Sequence, residues 1–338
     1  MIWMTWRQFR TPALTTAALV LALLGGLALT WAEVTELARQ TGYTGCQGDA
    51  CRTAGEAFLQ ALRPGWASQF HIAAIGALYL LPALVGIFWG APLVARELES
   101  GTYRMVFSQS VSRSRWLLVK LAVGGGAAAF GAGLLSLVLT QWAQPIDGAS
   151  ADRMNPLVFA ARGIVPIGYA TLAFVVGVAT GLLLRRTLVA MAVTLLVVVG
   201  LQIAAPFVVR PWLAQPVTMV SPLQVNGDYG ISMSLDTGQM RLQFEPNRRG
   251  DWVLSSTVIT STGAEFNGPA DLTQCGPKAL RARETCPRWL EKQNLSLKVI
   301  YVSGSKFWTL QWREFGALIA LAVVLSLFSL WWVRRRLA

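Results

Sequence analysis

Four cysteines and a single histidine are the side chains of this sequence best suited to forming disulfides or binding a metal. The cysteines are Cys46, Cys51, Cys275 and Cys286, and the histidine is His71. An even number of cysteines favours disulfides, and pairing of sequence neighbours is one of three possible connectivities. A zinc site is the competing interpretation, but the cysteine spacings contain no CxxC pair and only one histidine is present. We therefore predict two local disulfides and no metal site.

Motifs for nucleotide hydrolysis and for hydrolase chemistry are absent from the sequence. There is no GxxxxGK[ST] phosphate loop. The triplet Gly124-Gly125-Gly126 lies within an apolar run, and these small residues are expected to let helices pack closely. Because HExxH and GxSxG are also missing, we predict no catalytic residues and no ATPase site in this chain.

Long apolar runs dominate the composition. Of the 338 residues, 54% are hydrophobic and 14% are charged, and the mean hydropathy is +0.48. A soluble domain carries about 25% charged residues. About 20 apolar residues cross a bilayer as a helix, which satisfies its own backbone hydrogen bonds there. Six runs are long enough, at residues 14–31, 72–95, 116–142, 163–184, 187–209 and 315–333. The sequence thus predicts an all-α polytopic membrane protein with six transmembrane helices.

The basic residues lie mainly on one side of these six runs. If the N-terminus is inside, the inner segments are residues 1–13, 96–115, the Arg185-Arg186 hairpin and the tail 334–338. In or beside them lie twelve of the 29 Lys and Arg residues, but only two of the 17 Asp and Glu residues. Because positive charge near span ends stays cytoplasmic, we predict a plasma-membrane protein with both termini in the cytoplasm. The net charge of +12 is then explained by basic residues at the cytoplasmic ends of the spans, next to the lipid bilayer. No nucleic-acid partner is predicted.

The N-terminal residues allow two further interpretations. Trp3, Trp6 and Arg10 have helical spacing, which is typical of an amphipathic helix in the headgroup layer or of an ordinary aromatic flank to the first span. We assign residues 1–13 to such a helix. A cleaved signal peptide is the alternative for the first run, which is long for a signal-peptide core.

Three segments would then lie outside the cell, at residues 32–71, 143–162 and 210–314. All four cysteines fall in them, on the oxidising side of the membrane, which supports disulfides. The third segment is long enough for a small domain. Its patterns predict a hairpin of strands 231–235 and 239–245, further strands at 252–260 and 295–302, and a helix within 278–293. We therefore predict a small extracellular α+β domain between the fifth and sixth helices.

The segment that links the second and third spans holds the most specific pattern. It reads RELESGT at 96–102, then SVSRSRW at 110–116, and Lys120 opens the next span. This pattern resembles the cytoplasmic link of the ABC-2 type permease family of ABC transporters. The six-helix layout is similar to that family, and FWTLQWRE at 307–314 is similar to its actinobacterial branch. The first outer loop, with its own cysteine pair, departs from shorter family members.

The resemblance implies the ABC-2 type exporter fold and a permease subunit that moves a hydrophobic or amphiphilic substrate outward. In the family the link docks into a separate ATPase subunit, which binds ATP and Mg²⁺. Carried over, the coupling residues are Arg96, Glu97, Glu99, Gly101, Thr102, Tyr103 and Arg104. The family's transport cavity lies between two permease copies and is lined by the second and fifth spans. The corresponding residues here are Tyr79, Phe88, Trp89, Thr194 and Gln202. A second copy of the chain, or a related permease, is thereby implied as a partner.

Other functions remain open on the residues alone. Without the resemblance, RELESGT would be a charged loop that holds two helices in register. The large outer segment also allows a signalling or mechanotransmission subunit, whose outer domain binds a ligand without cargo transport. A membrane enzyme would need clustered carboxylates or histidines at the bilayer surface, and the sequence shows none. An ion-coupled carrier usually keeps carboxylates within its spans, and none lies at a predicted span centre.

Overall fold

The protein folds into two compact units. The computed structural model describes residues 2–48, 50–103, 105, 112–223, 229–233, 240–244, 249–266 and 285–336. The first unit combines Met1–Leu213 with Phe307–Ala338, and the second is Ala214–Lys306. The first unit is helical, and the second contains the strands of the described chain.

Helices account for most of the described residues. They are α1 (Ile2–Gln40), α2 (Ala50–Leu62), α3 (Trp66–Leu84), α4 (Ala91–Glu99), α5 (Arg113–Trp142), α6 (Gln144–Ser150), α7 (Pro156–Phe159), α8 (Val165–Leu184), α9 (Thr187–Ala204), α10 (Arg210–Ala214), α11 (Thr285–Glu291) and α12 (Phe307–Arg336). Two π-helical turns, Val85–Gly90 and Ala205–Val209, join α3 to α4 and α9 to α10. Pro82 and Pro206 lie at or just before these turns, where a missing N–H interrupts the regular helical hydrogen bonds.

Six of the helical stretches are long and apolar enough to cross a membrane, which confirms the predicted number of spans. In order they are Arg10–Gln40, Trp66–Glu99, Arg113–Trp142, Val165–Leu184, Thr187–Ala214 and Gly304–Arg336. The fourth span is the central helix, since 72% of its most apolar window is buried, compared with 22% for the fifth and sixth. Large apolar side chains of the outer spans, such as Leu188 and Phe207, are exposed and suit contact with lipid.

Several helices continue past the apolar runs that predicted them. α1 is one helix from Ile2 to Gln40, without a break between the predicted segments 1–13 and 14–31. α12 begins at Phe307, where the sequence predicted a span that starts at residue 315. Hydropathy marks the part of a helix that matches the hydrocarbon thickness, so it does not report the polar turns that extend beyond that part. The predicted outer segments 32–71 and 143–162 accordingly contain α2, α6, α7 and the start of α3.

Glycines bring the second and fourth spans into backbone contact. A Cβ added at Gly177 would lie 2.8 Å from the amide nitrogen of Ala91 and 3.0 Å from the Cα of Gly90. A Cβ added at Gly181 would lie 2.6 Å from the carbonyl oxygen of Ala91. Pairs of small residues four apart are a common way for membrane helices to pack closely. Gly124 has a similar role in the third span, because a Cβ there would collide with the ring of Phe174.

Replacing Gly177 with alanine is expected to destabilise the protein by about 1 to 3 kcal/mol, because the added methyl meets backbone atoms that no side-chain rotation can move. The matched control is Gly200→Ala in the fifth span, where an added Cβ meets nothing within 4 Å. Thermal unfolding midpoints in detergent would compare the two variants. Equal midpoints would contradict the close packing of these spans.

The second unit is built on two small antiparallel sheets. Its described strands are β1 (Val217–Pro222), β2 (Tyr229–Met233), β3 (Met240–Phe244), β4 (Trp252–Ile259) and β5 (Ser296–Val302). β5 lies between β1 and β4 in one sheet, and β2 pairs with β3 in the other. The predicted strands are confirmed, and β1 is an addition that the sequence analysis missed. The turn of the predicted hairpin lies outside the described residues, as do residues 278–284 of the predicted helical segment 278–293. In the described part of that segment, Thr285–Glu291 is helical.

Candidate functional site

Glu97, in the predicted coupling segment, is buried in the interior of the chain. Its carboxylate accepts hydrogen bonds from Lys120 Nζ at 2.7 Å and from Trp116 Nε1 at 3.0 Å. Lys120 also donates to the carbonyl oxygen of Leu93 at 2.8 Å, and both members of the ion pair are buried. Glu97 thus joins α4 to α5, and a docking contact made by its side chain would require this pair to open.

Glu99 is exposed, and it joins α4 to the fifth span. Its carboxylate accepts from the backbone N–H of Thr187 at 3.0 Å and from the hydroxyl of Thr187 at 2.6 Å. Thr187 is the first residue of α9. A carboxylate at this position satisfies an otherwise unpaired N–H of the first turn and interacts favourably with the helix dipole.

Three further coupling residues, Gly101, Thr102 and Tyr103, follow the end of α4 in a tight turn. Gly101 adopts φ = 72°, a left-handed conformation that glycine adopts without strain. The hydroxyls of Ser100 and Thr102 are 3.0 Å apart across this turn. Arg96 and Thr102 are exposed and Tyr103 is partly buried, whereas Arg104 lies outside the described residues. The surface of the segment is therefore formed by Arg96 and by the turn that begins at Glu99.

A cavity of about 680 Å³ lies beside this segment. Its walls come from the start of the first span, from one face of the second span, from Ser100 and Thr102 after α4 and from Met191 of the fifth span. Two residues of the predicted substrate cavity, Phe88 and Trp89, line it together with Arg96 and Glu97. Pockets that bind small molecules usually measure about 300 to 1,000 Å³ and combine apolar walls with a few polar groups.

The other three predicted cavity residues lie elsewhere. Thr194 is buried, and its hydroxyl is 2.7 Å from that of Thr180, so it joins the fourth and fifth spans. Gln202 donates from Nε2 to the carbonyl oxygen of Tyr79 at 3.0 Å. The Tyr79 hydroxyl in turn donates to the carbonyl oxygen of Leu157 at 2.9 Å. The structure thus brings Phe88 and Trp89 together at one site and Tyr79 and Gln202 together at another.

An ion pair that the sequence analysis missed lies next to Tyr79 and Gln202. Arg210 donates from Nε to Glu314 Oε2 at 2.8 Å and from Nη2 to Oε1 at 3.2 Å, and both side chains are buried. The Tyr169 hydroxyl donates to Glu314 Oε1 at 2.8 Å. Arg210 and Glu314 were placed at the two limits of the outer domain, where solvent exposure would be expected. Both instead lie in helices of the first unit, where the pair joins the fifth span to the sixth.

Gln311 extends this polar cluster by one turn of α12. Its Oε1 accepts from the backbone N–H groups of Ile164 and Val165 at 3.1 Å, and its Nε2 donates to the carbonyl oxygen of Phe159 at 3.0 Å. Gln311 and Glu314 are three residues apart and lie on one face of the helix. That spacing within the FWTLQWRE run was the available signal, since two polar residues on one face of an apolar helix indicate a buried partner.

A second buried arginine lies among the short helices of the first unit. Arg162 donates to Asp147 through Nε at 2.9 Å and through Nη2 at 3.1 Å, and the same Nη2 is 2.8 Å from His71 Nε2. Arg162 is completely buried, although the sequence analysis placed it in an outer loop. His71 is therefore part of a charged network between α3, α6 and the segment that precedes α8.

Cys46 and Cys51 form a disulfide that holds the start of α2, which confirms the first predicted pairing. The predicted Cys275–Cys286 pairing lies outside the side chains that the structure describes. Within the described residues, no group of three or more His, Cys, Asp or Glu side chains is arranged to hold a metal ion.

The comparison with known protein families bears directly on this arrangement of spans. A family described as ABC-2 membrane transporter related matches residues 17–210, which is more than half of the chain and runs from the first span to the end of the fifth. No curated protein and no solved structure matches the chain. The match includes the link between the second and third spans and most of the residues that line the cavity beside it, whereas Thr11, Pro12 and Thr15 precede the matched region. The chain therefore belongs to the ABC-2 membrane transporter related family.

Proposed function

We propose that this chain is the permease subunit of an ATP-driven exporter that moves a hydrophobic or amphiphilic substrate outward. The family supports a membrane subunit that is not itself catalytic and that works with an ATPase subunit. In the proposed complex, the ATPase subunit binds ATP and Mg²⁺. Two copies of the permease, or this chain and a related one, form the membrane part, since closed two-fold assemblies are the commonest.

The observation that carries this proposal is the attachment of the 96–103 link to two further spans. Glu97 bonds to α5 through Lys120, and Glu99 bonds to α9 through Thr187. A push on the exposed turn at Ser100–Tyr103 would therefore reach the second, third and fifth spans together. The permease contributes two arrangements of these helices, and ATP binding by the partner changes their relative free energies.

Replacing Glu99 with lysine is expected to reduce stimulation of the partner ATPase by substrate about fivefold or more, within the usual range of coupling energies. The change removes the acceptor for Thr187 and places a positive charge at the N-terminus of α9, where the helix dipole disfavours it. The measurement is ATP hydrolysis and substrate flux in vesicles that contain both subunits.

Two controls accompany this variant. Glu99→Gln keeps an amide oxygen that can accept from Thr187, so an intermediate effect is expected. Glu36→Lys changes an exposed glutamate that accepts hydrogen bonds from Arg39 and Gln40 of α1 itself, and it is expected to leave coupling intact. Unchanged flux in Glu99→Lys would contradict the coupling role. An ATP-dependent conformational change of the outer domain without any substrate flux would favour signalling over export.

The proposed complex requires the 96–115 segment and both termini to face the cytoplasm. Basic residues support this orientation, because Arg185, Arg186 and the tail arginines then lie inside. In right-side-out vesicles, a protease added from outside is expected to cleave within Ala214–Lys306 and to leave residues 100–115 intact. External cleavage within residues 100–115 would exclude docking to a cytoplasmic ATPase.

A further inference from the structure

The cavity beside α4 changes from apolar to polar along the second span. Its lining residues on that span recur about every four positions, so they form one face of the helix. Phe88 and Trp89 occupy one end, Leu93 follows a turn later, and Arg96 lies at the other end beside the turn of the 96–103 link. An amphiphile whose tail meets the aromatic rings would therefore place its headgroup next to Arg96.

Arg96 provides the uncompensated charge at the polar end. Glu97 also lines the cavity, but Lys120 neutralises its carboxylate at 2.7 Å. None of the ion pairs among the described residues includes Arg96, whose side chain is exposed. The guanidinium group presents several N–H donors in a planar array that matches the oxygens of a phosphate or carboxylate.

We infer that this cavity is an entry site for an amphiphile with an acidic headgroup, a phosphate monoester on an alkyl chain being the simplest example. The inference names the substrate class of the exporter proposed above and depends on that proposal and its orientation. Arg96 binds the headgroup, and the hydroxyl groups of Thr11 and Thr102 supply further polar contacts. The alkyl chain of the amphiphile contacts Phe88, Trp89 and Met191. The cargo thus enters from the inner leaflet at the same segment that the ATPase moves.

The test measures binding to the full-length chain in phosphatidylcholine nanodiscs without ATP. Three photoreactive dodecyl probes share one chain and differ in the headgroup: phosphate, trimethylammonium or maltoside. Labelling of the peptide that contains residues 84–100 is quantified by mass spectrometry over a range of probe concentrations. The phosphate probe is expected to bind about tenfold more tightly than the maltoside probe, and the trimethylammonium probe most weakly. Inorganic phosphate is expected not to compete with the phosphate probe, because it has no alkyl chain to contact Phe88 and Trp89 at the apolar end of the cavity.

Arg96→Gln is expected to reduce the affinity for the phosphate probe about tenfold, or about 1.4 kcal/mol. Arg115→Gln is the matched control, since Arg115 is exposed at the start of α5 and does not line the cavity. Equal binding of the phosphate and maltoside probes would overturn the inference, as would equal losses in both variants or displacement by inorganic phosphate. This binding assay needs no ATPase, so a negative result contradicts the substrate class alone. A failure of Glu99→Lys to uncouple ATP hydrolysis would instead contradict the proposed function.

Discussion

Replacement of Glu314 by alanine is expected to lower the free energy of unfolding by about 3 to 5 kcal/mol, the usual consequence of removing one partner from a buried ion pair. The guanidinium of Arg210 would remain buried with the carbonyl oxygen of Pro156, at 2.8 Å, as its hydrogen-bond acceptor. An arginine cannot shed its proton to avoid this desolvation. The hydroxyl of Tyr169 would also lose its acceptor. Titration with SDS in mixed micelles would measure the change.

A double variant separates the loss of the pair from the exposure of a lone charge. Arg210→Met combined with Glu314→Leu removes both charges and keeps apolar volume, so it is expected to recover at least half of the lost stability. The control is Glu36→Gln, which breaks the exposed pair between Glu36 and Arg39 and is expected to leave the unfolding curve unchanged. A double variant as unstable as Glu314→Ala would show that the packing of this region, and not the lone arginine, sets its stability.

The six spans could be predicted because each is a local property of the sequence. A run of apolar residues of bilayer length is sufficient for a helix, and the positions of Arg185-Arg186 and the terminal arginines bracket those runs. The strands near residues 252–259 and 296–302 were also accessible, since β-branched residues and alternation are local signals. β1 has the β-branched residues Val217, Thr218 and Val220, but it lacks a regular alternation of apolar and polar residues. Val217–Pro222 is mostly exposed and is fixed as a strand by its pairing with β5.

The charged contacts could not be predicted in the same way. Arg210 and Glu314 are 104 positions apart, and the whole second unit lies between them in the sequence. Arg162 reaches His71 across 91 positions. Each of these residues borders an apolar run, where a charge is ordinarily expected to face water or headgroups. Only the packing of the helices around the fourth span turns these ends inward and makes the charges partners.

The different roles of Glu97 and Glu99 could not be predicted from the sequence either, because they depend on which helices pack around α4. The two residues lie in one short motif, RELESGT, and the family resemblance treats that motif as a single docking surface. The structure directs one carboxylate to Lys120 in the protein interior and the other to Thr187 at the surface. Two residues apart on a helix is about 200° of rotation, so they necessarily face different neighbours.

Glu97→Ala is therefore expected to reduce the free energy of unfolding by about 3 kcal/mol, the lower limit for a broken buried pair. The effect should be smaller than for Glu314→Ala, because a lysine can lose its proton whereas an arginine remains charged. Lys120 would keep its bond to the Leu93 carbonyl oxygen, and the indole N–H of Trp116 would lose its acceptor. Glu97→Ala with Lys120→Met should recover most of the lost stability.

Glu97→Ala and Glu99→Lys can be compared by SDS unfolding and by substrate-stimulated ATP hydrolysis. The comparison tests whether Glu97 stabilises the helix packing while Glu99 couples the ATPase to the spans. Glu99 is exposed, so Glu99→Lys should leave the unfolding curve nearly unchanged while the stimulation of ATP hydrolysis by substrate falls about fivefold or more. The Glu97→Ala, Lys120→Met variant should recover most of its stability and retain coupling, because α4 and α5 each remain packed against α8 without the ion pair. If that double variant is stable but uncoupled, the Glu97–Lys120 pair is itself part of the moving mechanism and opens during transport.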